Sequence, residues 1–520
     1  MKKYILLIAT ATTALAACNK GYLDLSENPN NPSTVPAASL VAAAEVRTAN
    51  IMVDPNLATV NVWMDQWAYS PNYAVNQDSR DYKFTTTFAA GAWTNLYAVA
   101  YDYQKIIDFA VAQNNPALEG IGRTMKAMLV GYLVDLYNNV PYTEAFKGAL
   151  NKAPKYDNGK DVYEAIYSEL TTAITKFNIG SAVFPTATQD VMFKGNKSLW
   201  IKLANTIKLR LLLRQAGRAD RAAYIAGKIA SDFPAGLNSF IKAGEGAYVN
   251  PGYTNSDLKQ NPYWASFGYN AAGTKTGNND FFKTANYAVL FYTSQQDDRL
   301  FFMSKPVGTG SGPGTMYGIL WRGNEMGSQG NGASTYSDNL NNDLWGGTAS
   351  APAAYRSPSF DQPILSDFES LFLQAEAVQR GWFTGNAQTL FESAMTQSFT
   401  YIFDRVDGAG AGASYYAGDL LPDARNSWTA ATNKIQLIIT QKWASLNTLN
   451  FYEPWAEYRR TMDPVTKKGY PDVPLSSSLS RGPNIPFRLK YPQSEYDLNG
   501  ANVAAQGNID QFASKIWWMP

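Results

Sequence analysis

Histidine is absent from all 520 residues. That absence removes the side chain that titrates nearest neutrality, and with it histidine general bases, Ser-His-Asp triads and every histidine-bearing zinc site. Cysteine is almost as scarce: Cys18 stands alone, so no intrachain disulfide can form and the fold must be held by burial. A surplus of either charge is also missing, since 44 basic residues face 43 acidic ones. The chain therefore lacks the basic excess that nucleic-acid binding demands. Beyond the amino end, no apolar run reaches the length of a membrane-spanning helix.

What is present begins with the first eighteen residues. Lys2 and Lys3 precede an apolar stretch from Tyr4 to Leu15, and Leu15, Ala16, Ala17 and Cys18 follow. A basic end, a short apolar segment and small residues before the cut make a secretory signal, too short to stay in a bilayer. Residues 1–17 are expected to be removed and the Cys18 thiol to carry the lipid of a bacterial lipoprotein. Acyl chains there would hold the protein on a membrane at roughly 0.8 kcal/mol per buried methylene. Residues 18–36, rich in proline and asparagine, read as an extended tether.

From Ala37 to the end, 37–520, we expect one domain. At 45% hydrophobic residues and well above the ~250-residue scale, it can bury about three quarters of its unfolded surface. Asn115 and Pro116 start an amphipathic helix through Met125, Met128, Leu129, Tyr132 and Leu136, stopped by Asn138, Asn139, Val140 and Pro141. Stripes of period 3.6 recur at Val162, Ile166, Leu170 and Ile174, and at Trp200, Leu203, Ile207 and Leu211. They return at Phe368, Leu371, Phe372 and Ala375, and at Ile435, Ile439, Trp443 and Leu446. Helices joined by short turns suggest stacked hairpins, although no 34-residue repeat is visible. Between them, 262–363 changes character, with eleven glycines from Gly308 to Gly347. It reads as an elaborated loop region, and long loops in a compact domain are usually functional.

Several segments carry a resemblance: "YLDLSENPNNPST" at 22–34, "LVDLYNNVPYTEAF" at 133–146, "YDNGKDVYEAIYSEL" at 156–170, and "KGNKSLWIKLANTIKLRLLLR" at 194–214. "ILSDFESLFLQAEAVQRG" at 364–381, "EPWAEYRRT" at 453–461 and the terminal "KIWWMP" continue it. In this order, beside the lipid-attachment signal, they resemble the SusD/RagB outer-membrane nutrient-binding lipoproteins, in particular the SusD-like 2 branch. One departure is Asn138 and Asn139, where the family often has Gly-Asp or Gly-Asn; asparagine tolerates the same backbone. The resemblance implies an all-α superhelix of tetratricopeptide-like hairpins with a loop-rich ligand face. It also implies surface exposure on the outer membrane, oligosaccharide or sometimes peptide ligands, and a SusC-like TonB-dependent transporter that the protein covers as a lid.

For a site, the segment from Trp63 to Phe84 interleaves Trp67, Tyr69 and Tyr73 with Asn76, Asp78, Arg80 and Asp81. A pyranose offers a C–H face for an aromatic ring and a rim of hydroxyls for planar polar groups. By resemblance this loop converges with the middle region, adding Trp264, Trp321, Tyr336 and Trp345; a pair drawn from Trp67, Tyr73, Trp321 and Trp345 is expected to stack on sugar rings. Each of these aromatics also suits a core anchor. Glycosidases need only two carboxylates, and Glu453 and Glu457 lie one helical turn apart. Pairing with Arg459 or Arg460 on a solvated helix is the preferred reading there, as for Asp297 and Asp298 beside Arg299. The glycine-rich run near Gly308 lacks a phosphate-loop ending, and Gly408, Gly410 and Ala413 read as a flexible loop. Asp338, Asn342 and Asp343 show no spaced calcium-ligand series. The expectation is a binding protein with no catalytic residue, no cofactor and no metal.

Overall fold

A computed structural model describes residues 37–73, 77–328, 336–338, 357–403, 408–417 and 423–520. The longer helices are α1 (Ala37–Met52), α2 (Ala90–Ala112), α3 (Pro116–Tyr137), α4 (Gly159–Phe177), α5 (Lys197–Arg214) and α6 (Ala222–Asp232). The second half adds α7 (Asp367–Gln379), α8 (Ala387–Ile402), α9 (Gly408–Ala417), α10 (Lys434–Leu446) and α11 (Glu453–Arg460). Asparagine starts many of them. Asn115, Asn158, Asn196, Asn386 and Asn433 each accept a hydrogen bond from a backbone N–H of the first turn, a cap worth about 1 kcal/mol each.

Sequence neighbours stack in space: α1 on α2, α2 on α3, α3 on α4, α4 on α5, and later α7 on α8 and α8 on α9. Gly122 shows how closely. A methyl group there would sit 2.7 Å from Ile107 Cγ1 and 3.0 Å from the Tyr103 carbonyl of α2, so only glycine lets the two backbones approach. The expected arrangement of helical hairpins is therefore found, and α3 ends where the sequence indicated, with Asn138 at φ 68°.

Two expectations need correction. The central helices do not bury a single face: every residue of α3 except Arg123 is buried, and α5 is buried continuously from Leu203 to Arg214. The Gly408–Ala413 stretch is not a loop but the start of α9. Gly412 lets it lie against α8, since a methyl group there would come within 3.1 Å of Thr396 Cα.

Strands are few and short. Among the described residues of the 262–363 region there are four short helices and strands β3 (Phe282–Thr284), β4 (Gly308–Thr309), β5 (Thr315–Met316) and β6 (Ile319–Leu320). The strand β7 (Gln362–Leu365) pairs with β2 (Ala247–Val249). The pairing that matters for the site joins β1 (Trp67–Tyr69) to β3 in antiparallel register: Trp67 opposite Thr284, Ala68 opposite Lys283, Tyr69 opposite Phe282.

Apolar side chains from Ala37 to Met519 form one connected core. At its centre lie charges. Arg214 of α5 reaches Glu457 at 2.5 Å, Glu453 at 2.6 Å and Asp135 of α3 at 3.3 Å. Arg460 grips Glu376 of α7 at 2.5 Å and also pairs with Glu457. Lys442 stands 3.3 Å from both Glu453 and Glu457. Arg210 Nη2 and Glu369 Oε1 are 2.9 Å apart, an ion-pair contact whose angle falls short of a hydrogen bond. Trp518 closes the cluster by donating its indole N–H to Asp135 at 2.8 Å.

Candidate functional site

Every residue of β1 is buried, and strand alternation sets only the side each one takes. Trp67 and Tyr69 both turn into the core: Trp67 packs its ring against Phe267, Phe282 and Phe451, and Tyr69 donates its hydroxyl to Ser79 Oγ at 2.6 Å. Burial raises the Tyr69 phenol above its ordinary pKa. On the partner strand, Lys283 points to the other side and pairs with Asp338. The backbone extends the seam, because Ser70 N–H donates to the Phe281 carbonyl at 2.8 Å and Asn324 Nδ2 donates to the Tyr69 carbonyl at 2.8 Å.

Beyond this seam lies a cleft of about 430 Å³, walled by Asn72 from the early segment and by Lys275, Asp280, Lys283, Lys305, Tyr336 and Asp338 from the middle region. Tyr73 stands at its edge, 38% exposed, with its ring edge-on to Phe281 at 5.1 Å and its hydroxyl donating to Asp280 at 2.7 Å. That hydrogen bond is the main reason its phenol lies above the usual range. Asp338 accepts from Lys275 at 2.8 Å and from Lys283. Burial alone would raise the Asp338 carboxyl, but the two ammonium groups hold it below the ordinary value, so it is an anion at neutral pH.

Of the residues expected to form the site, Tyr336 lines the cleft and Tyr73 sits beside it. The rest of the described set lies elsewhere. Trp321 is 1% exposed, its indole N–H donating to the Ser304 carbonyl at 2.9 Å and its ring meeting Phe301. Trp264 is buried against Tyr269. Trp67, Trp264 and Trp321 are thus core anchors with no ring face offered to a sugar, because large aromatics gain most by filling the interior of such a fold. Tyr69 is buried with them. Arg80 contacts Asp81 at 3.2 Å, and neither Arg80 nor Asp78 lines the cleft. Cys18, Asn76, Asn342, Asp343 and Trp345 lie outside the described residues.

Sequence reading missed Lys275, Asp280, Lys283 and Lys305, which no motif or periodicity marks. It named Asp338 only as a member of an acidic loop; the structure gives it two lysines, and no group of three or more potential metal ligands occurs among the described residues. Glu453 and Glu457 are also corrected. They are 0% and 2% exposed, tied to Arg210, Arg214, Lys442 and Arg460 rather than paired on a solvated helix, since α11 is inserted among α3, α5, α7 and α10. Asp297 and Arg299 are likewise fully buried, 2.6 Å apart.

Other clefts differ in character. One of about 700 Å³ runs between α6 and Trp382 and is walled mainly by alanines, Ile225, Ile229 and Phe233. No described helix is long and apolar enough to cross a membrane.

Comparison with solved structures finds the same fold repeatedly. A SusD homologue from Bacteroides fragilis superposes with a TM-score of 0.71 at 19% identity, over 94% of this chain and 100% of that one. A SusD/RagB family protein from Bacteroides thetaiotaomicron gives 0.71 at 17% identity, over 93% and 99%. A chitin-binding SusD homologue from Flavobacterium johnsoniae gives 0.69 at 19%, over 92% and 98%. Comparison with curated proteins finds no match. The family described as starch-binding and associating with the outer membrane matches residues 29–492, and with the helical stack and its loop-rich face this makes the chain a member of the SusD-like_2 family.

Proposed function

We propose that this protein captures oligosaccharide at the cell surface in the cleft beneath Tyr73 and passes it to a SusC-like TonB-dependent transporter in the outer membrane. The observation that carries this reading is the β1–β3 pairing, which brings Asn72 and Tyr73 of one segment beside Asp280, Lys283 and Tyr336 of another. Sugar hydroxyls both donate and accept, and the cleft offers both partners: Asp280 and Asp338 accept, the lysines donate, and Asn72 does either. Tyr73 and Tyr336 supply the ring faces. A few hydrogen bonds and one or two stacking contacts bind loosely enough for release, which delivery requires. Family members act as binding proteins, and the hydrolase alternative loses its carboxyl pair because Glu453 and Glu457 are sealed in the core.

The lipid at Cys18 would hold the domain near its transporter. Changing Cys18→Ser is expected to move the protein from the membrane fraction to the soluble one on fractionation of cells; continued co-sedimentation with membranes would remove the anchor from the proposal. The ligand site is tested by calorimetry on a lipid-free chain starting at Asn19, titrated with starch- and chitin-derived oligosaccharides. Tyr73→Ala and Asp280→Ala should each weaken binding, and unchanged affinity in both variants would overturn the assignment of the cleft.

A further inference from the structure

The hairpin joining β5 to β6 turns through two residues, Tyr317 and Gly318, between the paired Met316 and Ile319. Both have positive φ, 53° and 77°. This is the backbone of the mirror-image turn that matches the twist of a hairpin, and it calls for Asn, Asp or Gly at its first position. A bulky side chain is disfavoured there because its Cβ crowds the following carbonyl oxygen. The turn explains Gly318 and leaves the tyrosine unexplained. Filling the core does not account for it either, since Tyr317 is 54% exposed.

The fold holds this ring still. It lies nearly parallel to Phe301, with centroids 6.2 Å apart and planes at 7°, and Phe301 in turn meets the buried Trp321 edge-on at 4.8 Å. The Tyr317 hydroxyl lies beside the Asp298 carboxyl. One face of the ring is therefore covered and the other meets water. Residues kept in a disfavoured backbone region by their surroundings cluster at ligand contacts, and a side chain already fixed loses little rotamer freedom when a ligand arrives.

Position ties the ring to the cleft. Lys305, Pro306 and Val307 wall the cleft, or stand directly before β4, which the chain enters at Gly308. Val307 N–H donates to the Leu320 carbonyl at 2.8 Å, and Gly310 N–H donates to the Gly318 carbonyl at 3.1 Å. The run from Val307 to Gly310 covers roughly 10 Å of extended chain, and the exposed Gly308, Thr309 and Gly310 along it carry small side chains or none. We infer that Tyr317 is a second stacking platform, taking a ring of an oligosaccharide that begins in the cleft and extends along β4, so that the protein favours chains longer than the cleft holds. This rests on the reading of the cleft as the glycan site. An aromatic face is all that a pyranose C–H surface requires there, and two linked contacts on one chain reinforce each other.

The test is calorimetry of the lipid-free protein starting at Asn19 with starch- and chitin-derived oligosaccharides of increasing length, from the disaccharide upward. Affinity should rise about 3- to 10-fold once a chain is long enough to reach Tyr317. Tyr317→Ala should remove that rise and leave the shortest chains unchanged, and Tyr317→Phe should retain it. Tyr317→Asn suits the turn; it should keep the parent's melting temperature and still lose the rise, which sets a contact with ligand apart from a contribution to the fold. A fall in melting temperature in Tyr317→Asn with equal weakening at every chain length would assign the ring to the fold and overturn the platform. Long chains bound no better than short ones, or a rise that survives Tyr317→Ala, would overturn the platform and, where Tyr73→Ala weakens every length, leave the cleft as the glycan site. Binding that ignores both Tyr73→Ala and Tyr317→Ala, or no binding across the series, would overturn the cleft assignment and the platform with it.

Discussion

The centre of the helical stack and the cleft beside β1 use the same chemistry, lysine or arginine against carboxylates, in opposite surroundings. At the centre, Arg214, Glu453, Glu457 and Arg460 have side chains no more than 2% exposed, and each charge is already met by several partners. In the cleft, Lys275 keeps 42% of its side chain exposed and shares Asp338 with Lys283. The difference teaches that the role of a charge cluster in this fold follows its burial, not its composition. Buried pairs cost desolvation that only good geometry offsets; a pair open to water carries less of that cost.

The sharpest way to break this contrast is Arg214→Ala. It would strand Glu453 and Glu457 without their shared guanidinium, and we expect a loss of about 3–5 kcal/mol, read from denaturant unfolding. A loss under about 1 kcal/mol would mean that the centre behaves like a surface cluster.

Acidification should act on the same residues. Burial works to raise the Glu453 carboxyl, but Arg210, Arg214 and Lys442 hold it down to about 2, and Arg460, Lys442 and Arg214 hold Glu457 lower still. A carboxylate depressed on folding contributes stability above its unfolded value near 4.5, and that contribution is lost as the pH falls through the folded value. Melting temperature should accordingly drop between pH 4.5 and about 2. A flat profile across that window would argue against a centre held by ionised glutamates.

Glu45 is expected to behave in the reverse sense. Buried in α1 and close to Asp190, it is raised well above its ordinary value, chiefly by burial and then by the neighbouring carboxylate, while its Oε2 accepts from Val191 N–H at 2.8 Å. Its folded form favours the proton, so the stability it contributes is present at low pH and lost as the pH rises through its folded pKa. Glu45→Gln keeps the shape and removes the proton dependence. The variant should match the parent in acid and melt higher at alkaline pH; a parallel pair of profiles would show that Glu45 does not titrate with folding.

The smallest stability effect belongs to the cleft. Tyr73→Ala should change unfolding free energy by no more than about 0.5 kcal/mol, the usual range for a surface site, while lowering oligosaccharide affinity roughly 3- to 10-fold through the lost ring contact. A large loss of stability would place Tyr73 with the buried aromatics and erase the distinction between the two regions.

The helices were the legible part. Asparagine caps, 3.6-residue stripes and the stop at Asn138 mark α3, α4, α5, α7 and α10 because local rules and tertiary packing agree there. The buried ion cluster was illegible for the opposite reason. Glu453, Glu457 and Arg460 look like one polar face of a solvated helix until α11 is seen inserted among four others and met by Arg210 and Arg214 of α5, and burial from all sides is a property of the assembly. The convergence of the early and middle segments was anticipated, yet the side chains that meet there were mostly not. Trp67 and Trp321 drew attention as large amphipathic rings, and a fold of this size uses such rings to fill space. Lys275, Lys283 and Lys305 have no common spacing, and only the pairing of β1 with β3 and the bridge between residues 283 and 338 collects them.

The hydrogen bond between Trp518 and Asp135 joins residues 383 positions apart. That bond can form only once the carboxyl end of the chain has returned to the heart of the helical stack. Until then Asp135 lacks its indole donor, so sealing the interior is a long-range event and slower than the formation of any single helix.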